Sequence, residues 1–414
     1  MTTRAGRSQV RSPKEPLWSR RFALACVIAF LVGLVFVSLT TTIALYAINR
    51  FRASEGTAGF VAGCFVLGAM VSRVLFARFI DRFGRRRSLL IALALFTVAA
   101  ASYLAVGDLT TLILVRFVHG AAFGVAHNAL TTAAMSLVPD SRRAEGTGYY
   151  GMAAALTTGL GPFIAVLLQS RFTPEAVFVF TSVCSAAALI VACFLRPSES
   201  EVYGQRLTWR FRGSDLIEPT AVAMASVVLV CAGAYSGVMA FLAAHAGELG
   251  VPEYAATFFL VFAAVVFLSR FFLGRIQDRF GDNVVMYPIF VGLASGLLVL
   301  GLGGGSGILV AAVLLGIEFG GLSTSAQAIV VARAPRGRMA IAIATYYTFL
   351  DTAIGFGPML LGVLAASVGY AGMYQIGAGV VVLGAILYTL VHGRGSGRRG
   401  RQRQRLVTRS RRTS

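Results

Sequence analysis

Charged residues are scarce in this chain: only 13% of its 414 residues are Asp, Glu, Lys or Arg, and 57% are hydrophobic. A soluble domain usually has about a quarter of its residues charged, so this composition excludes an ordinary soluble protein. Lysine is almost missing, because Lys14 is the only one among 37 basic residues. The shortage of charge and the mean hydropathy of +0.76 predict an integral membrane protein.

The residue clusters typical of metal centres and enzymes are missing from the sequence as well. The five cysteines all lie in apolar stretches, where they act as small apolar residues and not as a disulfide framework or a zinc site. The sequence has no paired carboxylates, metal-ligand cluster or nucleophile arrangement, and no GxxxxGKS or GxxxxGKT loop that would indicate direct use of ATP. We therefore expect no enzyme, no catalytic residue, no metal and no cofactor.

The net charge of +20 is concentrated outside the apolar stretches, in loops and in two basic tails. These tails are residues 1–21 and 392–414, and their composition resists compact folding. We expect both tails to be solvated and drawn to anionic lipid, and we expect no nucleic-acid partner. A regulatory or nucleic-acid-binding role of the tails is the alternative.

Twelve apolar stretches are long enough to cross the roughly 30 Å hydrocarbon layer of a membrane as helices, which takes about 20 residues. The predicted spans are residues 22–48, 57–76, 88–106, 109–136, 146–169, 174–195, 219–245, 254–273, 285–303, 307–332, 339–366 and 369–391. The first span is too long to be read as a removable signal. The predicted fold class is all-α, with twelve transmembrane helices.

Arginine is distributed unequally between the two sides of these spans. If the N-terminus is cytoplasmic, the inner loops hold 16 basic residues, whereas the outer loops hold only Arg50, Arg52 and Arg171. Basic residues in short loops are retained on the cytoplasmic side. We therefore predict a multi-pass membrane protein with both termini in the cytoplasm.

The two halves of the chain repeat each other. Asp-Arg-Phe-Gly starts at Asp81 and again at Asp278, 197 residues later, and a Ser-Arg pair precedes each copy at the same separation. Gly-Leu-Gly-Pro at 159–162 matches Gly-Phe-Gly-Pro at 355–358, 196 residues later. Because each half has an even number of spans, the halves form parallel repeats. The predicted domains are the two tails, a bundle over 22–195, a cytoplasmic linker over 196–218 and a bundle over 219–391.

With these features the sequence resembles the major facilitator superfamily over nearly its whole membrane region. The family's loop between the second and third spans is approximately G-x-L-x-D-R-x-G-R-R, and residues 77–86 fit it apart from alanine at the first position. The second copy has Gly274 there but ends in Asp282 and Asn283 instead of arginines. The resemblance implies two six-helix bundles around a central cavity lined by spans one, four, seven and ten. Within the family the sequence looks most similar to bacterial twelve-span exporters of drugs, sugars and opine-type metallophores, and this resemblance implies a bacterial plasma membrane.

The repeated charged motif contains acidic residues, which a purely topological role of its arginines leaves unexplained. Gly84 permits a tight turn, and Asp81 can accept hydrogen bonds from arginines or lie at the positive N-terminus of another helix. The resemblance implies that the motif latches the outward-facing state. The predicted conformational latch comprises Asp81, Arg82, Gly84, Arg85, Arg86, Asp278, Arg279 and Gly281.

Only two of the 17 acidic residues, Glu318 and Asp351, fall well inside the predicted spans. Embedded ionisable groups are costly and usually face a partner or a water-filled cavity. A carboxyl group that meets water and then a cation or substrate can exchange protons, so both residues are predicted proton-coupling sites. A fixed ion pair or a substrate contact is the alternative for Glu318, and an anchor between the bundles is the alternative for Asp351.

A polar stripe follows the fourth span. Arg116, Phe123 and His127 project in nearly one direction at about 100° per residue, and His119 lies close to it. An arginine in this span followed by small residues is also typical of the family that the sequence resembles. The predicted substrate cavity contains Arg116, His119, Phe123, His127, Tyr46 and Tyr235. A structural hydrogen-bonding role is the alternative for Arg116 and His127, and helix packing is the alternative for Tyr46 and Tyr235.

Glycine and proline mark two further positions. The Gly-Leu-Gly-Pro segment resembles a signature of drug-exporting antiporters, but Ala165 and Val166 stand where that signature has paired glycines. Proline lacks the N–H of a helical hydrogen bond and kinks a helix. Helix kinks are predicted at Gly161, Pro162, Gly357 and Pro358.

These features predict a secondary active transporter that works by alternating access. The predicted activity is proton-coupled efflux of a small organic molecule, such as a drug, a metabolite or a metallophore-like compound. The expected partners are this substrate and protons, and the chain is expected to act as a monomer. A proton-coupled importer of sugars or organic anions is the first alternative, and a non-transporting membrane sensor is the second.

Overall fold

The computed structural model describes residues 17–53, 55–205 and 216–394. Most of both basic tails and part of the predicted linker lie outside these residues, so what the sequence predicts for them stays a prediction. Within the described ranges the chain is largely helical, and twelve helices are long and apolar enough to cross a membrane. The predicted all-α fold class with twelve spans is confirmed.

The first half of the chain forms six helices joined by short turns. Two of the helix starts are capped by polar side chains: the Ser19 hydroxyl accepts a hydrogen bond from the Phe22 N–H at 3.1 Å, and the Asp108 carboxylate accepts one from the Thr111 N–H at 2.9 Å. Such caps satisfy N–H groups that have no partner within the helix. The helices are α1 Arg20–Phe51, α2 Glu55–Phe83, α3 Arg85–Ser102, α4 Leu109–Ser136, α5 Arg143–Arg171 and α6 Glu175–Phe194.

The second half repeats this arrangement. Its helices are α7 Pro219–Glu248, α8 Glu253–Phe280, α9 Asp282–Leu302, α10 Gly304–Arg333, α11 residues 339–368 and α12 residues 370–388. The last two follow each other directly, and Gly369 separates them with a φ of 72° and a ψ of 170°. Glycine adopts this backbone conformation readily because it has no Cβ. A π-helical turn, Thr389–Gly393, ends the described chain.

Each bundle has its own hydrophobic core, built mainly by α1–α6 in the first bundle and by α7–α12 in the second. Small residues bring the helices close together. Gly120 of α4 lies on the backbone of Phe65 in α2, and its repeat counterpart Gly316 of α10 lies on Phe262 and Val265 in α8. In a membrane, such close approach supplies the packing that holds helices together.

The two bundles meet through corresponding helices. In the first contact α2 lies against α11, and in the second α5 lies against α8. Because α8 is the repeat counterpart of α2 and α11 that of α5, the two contacts are related by the internal symmetry of the chain. The charged motifs form the turns at the ends of α2 and α8, where Gly84 has a φ of 112° and Gly281 a φ of 95°. This side of the protein is called the arginine-rich end below.

Candidate functional site

A cavity of about 340 Å³ lies between the two bundles. It is lined by α1, α2, α4 and α5 of the first bundle and by α7, α8, α10 and α11 of the second. A concave site of this size with apolar walls and few polar groups is typical for binding a small molecule. Its aromatic wall residues are Phe36, Phe65, Phe123, Tyr150, Phe262, Phe319, Tyr346 and Tyr347.

An ion pair connects the bundles inside this cavity. The Arg73 guanidinium of α2 donates a hydrogen bond to the Asp351 carboxylate of α11. The Arg73 side chain is 2% exposed and that of Asp351 is 23% exposed, so the carboxylate retains contact with the open cavity. Arg73 also lies over the rings of Phe123 and Tyr347, at 5.8 and 5.2 Å from their centroids. Opposite charges from different bundles thus meet where a substrate would bind.

A second arginine, Arg270 of α8, also lines the cavity. It is the repeat counterpart of Arg73, and its guanidinium lies against Gly151 of α5. The residue is 8% exposed, and its Nε has no hydrogen-bond partner among the described residues. Arg73 and Arg270 were not among the predicted site residues, although two arginines inside apolar spans at a separation of 197 residues were a signal for them.

Two of the predicted cavity residues, Phe123 and His127, line the cavity. The His127 imidazole stacks on Phe123 with ring centroids 5.3 Å apart and meets Tyr347 edge-on at 4.6 Å. Its Nδ1 has no hydrogen-bond partner among residues 17–53, 55–205 and 216–394. His127 therefore places a polar atom that can still accept or donate a hydrogen bond in an otherwise aromatic wall.

Arg116 and His119 lie within the first bundle and not at the cavity. Arg116 donates hydrogen bonds from Nε to the Val61 carbonyl at 3.3 Å and from its terminal nitrogen to the Ala62 carbonyl at 3.1 Å, so it joins α4 to α2. The His119 ring is fully buried and its Nδ1 is 3.2 Å from the Tyr103 hydroxyl. The part of the stripe nearer the start of α4 packs on α2 and α3, and the part further along the helix reaches the cavity.

Matched replacements of two buried arginines should affect stability differently. We expect Arg116→Met to lower the free energy of unfolding by about 2 kcal/mol, because a charged side chain that donates to two carbonyls is lost. Arg270→Met should leave stability unchanged or raise it, because Arg270, unlike Arg116, donates no hydrogen bond within the described ranges that would offset the cost of burying its charge. Thermal unfolding of the purified variants checks both. Equal losses in the two variants would contradict these assignments.

The remaining aromatic residues predicted for the cavity, Tyr46 and Tyr235, do not line it. Tyr46 is buried in the first bundle, where its ring meets Phe178 edge-on at 4.9 Å. Tyr235 of α7 stacks on Phe319 at 4.1 Å and on Phe262 at 5.8 Å. Because Phe319 and Phe262 line the cavity, Tyr235 supports its wall from behind.

The two predicted coupling carboxyls occupy different environments. Asp351 lines the cavity and is paired with Arg73, as described above. Glu318 of α10 packs on Gly292 of α9, on the side of α10 that faces away from the cavity. Glu318 is 8% exposed, and no ion pair to its carboxylate is found within the described part of the chain. The structure therefore places Asp351, and not Glu318, next to a cation at the cavity.

The predicted latch residues lie at the arginine-rich end, and Asp81 connects the two bundles there. One of its carboxylate oxygens accepts a hydrogen bond from the Ala340 N–H at 3.0 Å, at the N-terminus of α11. The other oxygen accepts from Arg85 at 3.0 and 3.1 Å. The carboxylate thus lies at the positive end of a helix of the other bundle while an arginine of its own bundle orients it.

The second copy of the motif makes the symmetric contact. The Asp278 carboxylate of α8 accepts hydrogen bonds from the Ala144 and Glu145 N–H groups at 3.0 and 2.8 Å, at the N-terminus of α5. Glu145 in turn accepts from Arg275 of α8 at 2.8 Å and from Arg142 at 2.7 Å. Ala144 and Ala340 are repeat counterparts, so both aspartates bind corresponding helix ends.

The other residues of the predicted latch are arranged around these contacts. Arg86 donates to the Cys193 carbonyl at 2.9 Å, and the N–H groups of Arg85 and Arg86 donate to the Glu199 carboxylate at 2.7 and 3.3 Å. The start of the predicted linker thereby caps α3. Arg82 is half-buried, and Arg279 is exposed, with its guanidinium over the Phe280 ring at 5.1 Å.

The predicted kink sites lie where helices of the same bundle touch. Pro162 is inside α5 and Pro358 inside α11. The preceding glycines allow close contact with α1 and α7: the Gly161 carbonyl accepts from the Ser38 hydroxyl at 3.1 Å, and Gly357 lies on Ser236. Each site therefore fixes an interface helix onto a cavity-lining helix of its own bundle.

Comparison with known proteins places the chain in a family. The sequence matches the profile of the Major Facilitator Superfamily over residues 25–306 and 224–412. An MFS-type transporter of Methanocaldococcus jannaschii is 21% identical over 372 residues, which cover 86% of this chain and 94% of that protein. A second one, of Mycobacterium tuberculosis, is 26% identical over 198 residues, which cover 47% of this chain and only 32% of that protein. The match thus spans about a third of the second relative's length.

Similarity extends to a drug-resistance protein and to solved structures. Multidrug resistance protein 1 of Bacillus subtilis is 27% identical over 187 residues, or 43% of this chain and 46% of that protein. The human organic anion transporter MFSD10 superposes with a TM-score of 0.75 at 15% identity, covering 89% of this chain and 99% of that chain. FucP in its outward conformation gives a TM-score of 0.73 at 15% identity, and the superposition covers 90% of this chain and 98% of FucP. At these identities the structural likeness shows the fold alone.

The profile match covers more than half of the chain, and the twelve-helix fold of transporters is shared over nearly all of it. The resemblance drawn from the motif at residues 77–86 is confirmed, and the protein is a transporter and not an enzyme. The chain belongs to the Major Facilitator Superfamily.

Proposed function

We propose that this protein is a proton-coupled exporter of a small organic molecule in a bacterial plasma membrane. The ion pair between Arg73 and Asp351 carries the proposal, because it combines a carboxylate open to the cavity with a cation from the opposite bundle. Multidrug resistance proteins 1 and 3 of Bacillus subtilis are among the relatives, which favours efflux over uptake. The proposed substrate is small, since the cavity measures about 340 Å³.

Proton coupling follows from the position of this ion pair between moving parts. While Asp351 is ionised, its attraction to Arg73 joins α11 to α2. Protonation of Asp351 removes that attraction, so the two bundles can rock apart at this level. A carboxyl that alternates between a proton and an arginine partner therefore links proton movement to the conformational change. No covalent step on the substrate is needed.

The latch contributes to the same cycle at the other end of the cavity. Asp81 and Asp278 bind helix N-termini of the opposite bundle, and both contacts exist only while the arginine-rich end is closed. We assign this end to the cytoplasm, because short loops retain basic residues there. Release of both aspartates opens the cavity to the cytoplasm, where substrate enters and the proton leaves.

Transport in everted membrane vesicles tests the function and its direction. The substrate is first identified by screening a deletion strain for hypersensitivity to toxic compounds. An exporter accumulates this compound in vesicles whose interior is acid and releases it when a protonophore collapses the gradient. Movement in the opposite direction would identify a proton-coupled importer. Unchanged vesicle uptake after deletion of the gene would leave a sensor role as the better explanation.

Replacement of Glu318 separates its role from that of Asp351. We expect Glu318→Gln to retain about half or more of proton-driven transport, because no cation of the described structure pairs with Glu318 and could alternate with a proton. Initial rates of acid-driven accumulation in everted vesicles measure this. A rate reduced to the level of empty vesicles would assign proton coupling to Glu318 and remove it from Asp351.

A further inference from the structure

We propose that Arg270 binds the anionic group of the substrate, so that the transported molecule is an organic anion with an apolar, aromatic-sized body. This inference rests on the proposed function only in that the cavity is the substrate site. Binding of an anion to the cavity can be measured without transport. The proposal follows from comparing Arg270 with its repeat counterpart Arg73.

The two arginines occupy equivalent places but are neutralised differently. Arg73 reaches from α2 to α11, where Asp351 accepts its hydrogen bond and Tyr347 lies under its guanidinium. Arg270 reaches from α8 to α5 in the same way. At an offset of 196 residues, Asp351 corresponds to Ala155 and Tyr347 corresponds to Gly151. The second site therefore has the arginine but neither the carboxylate nor the aromatic ring.

No hydrogen bond and no ion pair of the Arg270 side chain is found among the described residues. The nearby Tyr346 donates its hydroxyl proton to the Ser323 carbonyl at 2.7 Å, and Tyr347 donates to Gln327 Oε1 at 3.1 Å. The Nε atoms of both arginines and the Gln327 Nε2 are buried donors without acceptors in this part of the structure, but only Arg73 has a carboxylate partner. A buried guanidinium is costly when unpaired, and a carboxylate matches its fork of donors. The missing partner is therefore expected to be a ligand anion.

The charge balance of the cavity indicates the same class of ligand. Among the described residues, its lining contains two guanidinium groups and a single carboxylate, Asp351, in addition to His127. One positive charge remains when Arg73 and Asp351 neutralise each other. A cationic ligand would meet this charge without compensation, whereas a monovalent anion neutralises it.

The walls determine what the rest of the ligand must be. On the side of the first bundle the cavity presents Phe36, Phe65 and Phe123, and on the side of the second bundle Phe262 and Phe319. Aromatic walls favour an apolar or aromatic body over a sugar, because a sugar needs hydrogen-bonding partners for its hydroxyl groups. A ligand with one carboxylate-like head and an aromatic body satisfies both parts of the cavity.

Calorimetric titration of the full-length protein in lipid nanodiscs tests the proposal. The probes are 1-naphthoate and its neutral isostere 1-naphthamide. We expect the wild type to bind the carboxylate at least about tenfold more tightly than the amide, which corresponds to one charge-assisted hydrogen-bonding pair. Arg270→Gln should remove this preference, and Arg270→Lys should retain part of it.

A gain of charge at the counterpart position provides an independent variant. Ala155→Asp supplies the carboxylate that the repeat lacks, so we expect it to neutralise Arg270 and abolish the preference for 1-naphthoate while Arg270 is still present. Circular dichroism and the melting temperature of each variant establish that it is folded. If Arg270→Gln does not fold, the preference for 1-naphthoate is compared between the wild type, Arg270→Lys and Ala155→Asp instead.

The outcomes separate this inference from the proposed function. A wild type that binds neither probe, or binds both equally, overturns the anion site, as does a charge preference that survives both Arg270→Gln and Ala155→Asp. Charge-selective binding in a protein without proton-driven flux supports the anion site and refutes proton-coupled export. Proton-driven flux of a substrate without charge preference supports export and refutes the anion site.

Discussion

Asp351→Asn should reduce proton-driven efflux by about 100-fold, the range expected when a group that carries a proton is removed. The amide that replaces the carboxylate has no proton to exchange and cannot attract Arg73 as a charged group does. Substrate exchange without a pH gradient needs no net proton movement, so we expect counterflow to persist in the same variant. Initial rates of acid-driven uptake and of counterflow in proteoliposomes measure the two activities.

Variants of the partner residue serve as the control for this prediction. Asp351→Asn leaves Arg73 buried without a counter-charge, which costs about 3 kcal/mol when one member of a buried pair is removed. The double variant Arg73→Gln, Asp351→Asn carries no charge at either position and should unfold at a higher temperature than either single variant. Wild-type coupling in Asp351→Asn, or additive losses of stability, would contradict the role given to the pair.

Removal of both latch aspartates should open the arginine-rich end. In the variant Asp81→Ala, Asp278→Ala, the N-termini of α11 and α5 lose the carboxylates that bind them from the opposite bundle. Each such contact contributes about 1 kcal/mol or more. The two contacts together contribute about 2 kcal/mol, so we expect the population open at this end to increase about 30-fold. The open population can be measured with the variant Ser323→Cys in an otherwise cysteine-free protein, because Ser323 lies in the cavity wall. A membrane-impermeant maleimide added to everted vesicles labels this cysteine only when the cavity is open to the cytoplasm.

Asp108 offers a matched control for the latch. It also accepts a backbone hydrogen bond at a helix N-terminus, from Thr111 at 2.9 Å, but it caps α4 of its own bundle and does not join the two bundles. Asp108→Ala should therefore leave maleimide labelling of the cavity unchanged. If Asp108→Ala raised labelling as much as the double variant, loss of a helix cap and not loss of contact between bundles would explain the effect.

The internal repeat is informative because its two copies differ at functional positions. The latch aspartates make equivalent contacts in both copies, as expected for two contacts that open and close together. The cavity arginines do not, since Arg73 faces Asp351 and Arg270 faces Ala155 and Gly151. This pattern agrees with the proposals that the symmetric aspartates serve the conformational change and that the unpaired Arg270 binds the charge of the substrate.

The sequence predicted some of the cavity-lining residues but not all of them. Phe123 and His127 line the cavity, whereas Arg116 and His119 of the same stripe pack on α2 and α3. The period of a helix shows which residues share a face, but it does not show how much of that face its neighbours cover. Glu318 illustrates the same point, because only the position of α9 shows that its carboxyl faces Gly292.

The sequence by itself determined the twelve spans, the two parallel repeats and the family. These properties depend on the length of apolar stretches and on motifs that are local in the chain. Only the tertiary structure decided that Asp351 pairs with Arg73, that the Arg270 Nε finds no acceptor among the described residues, and that the latch aspartates bind the N-termini of α5 and α11. The ion pair and the latch contacts join residues more than a hundred positions apart, and they form through the packing of the bundles, which no local pattern encodes.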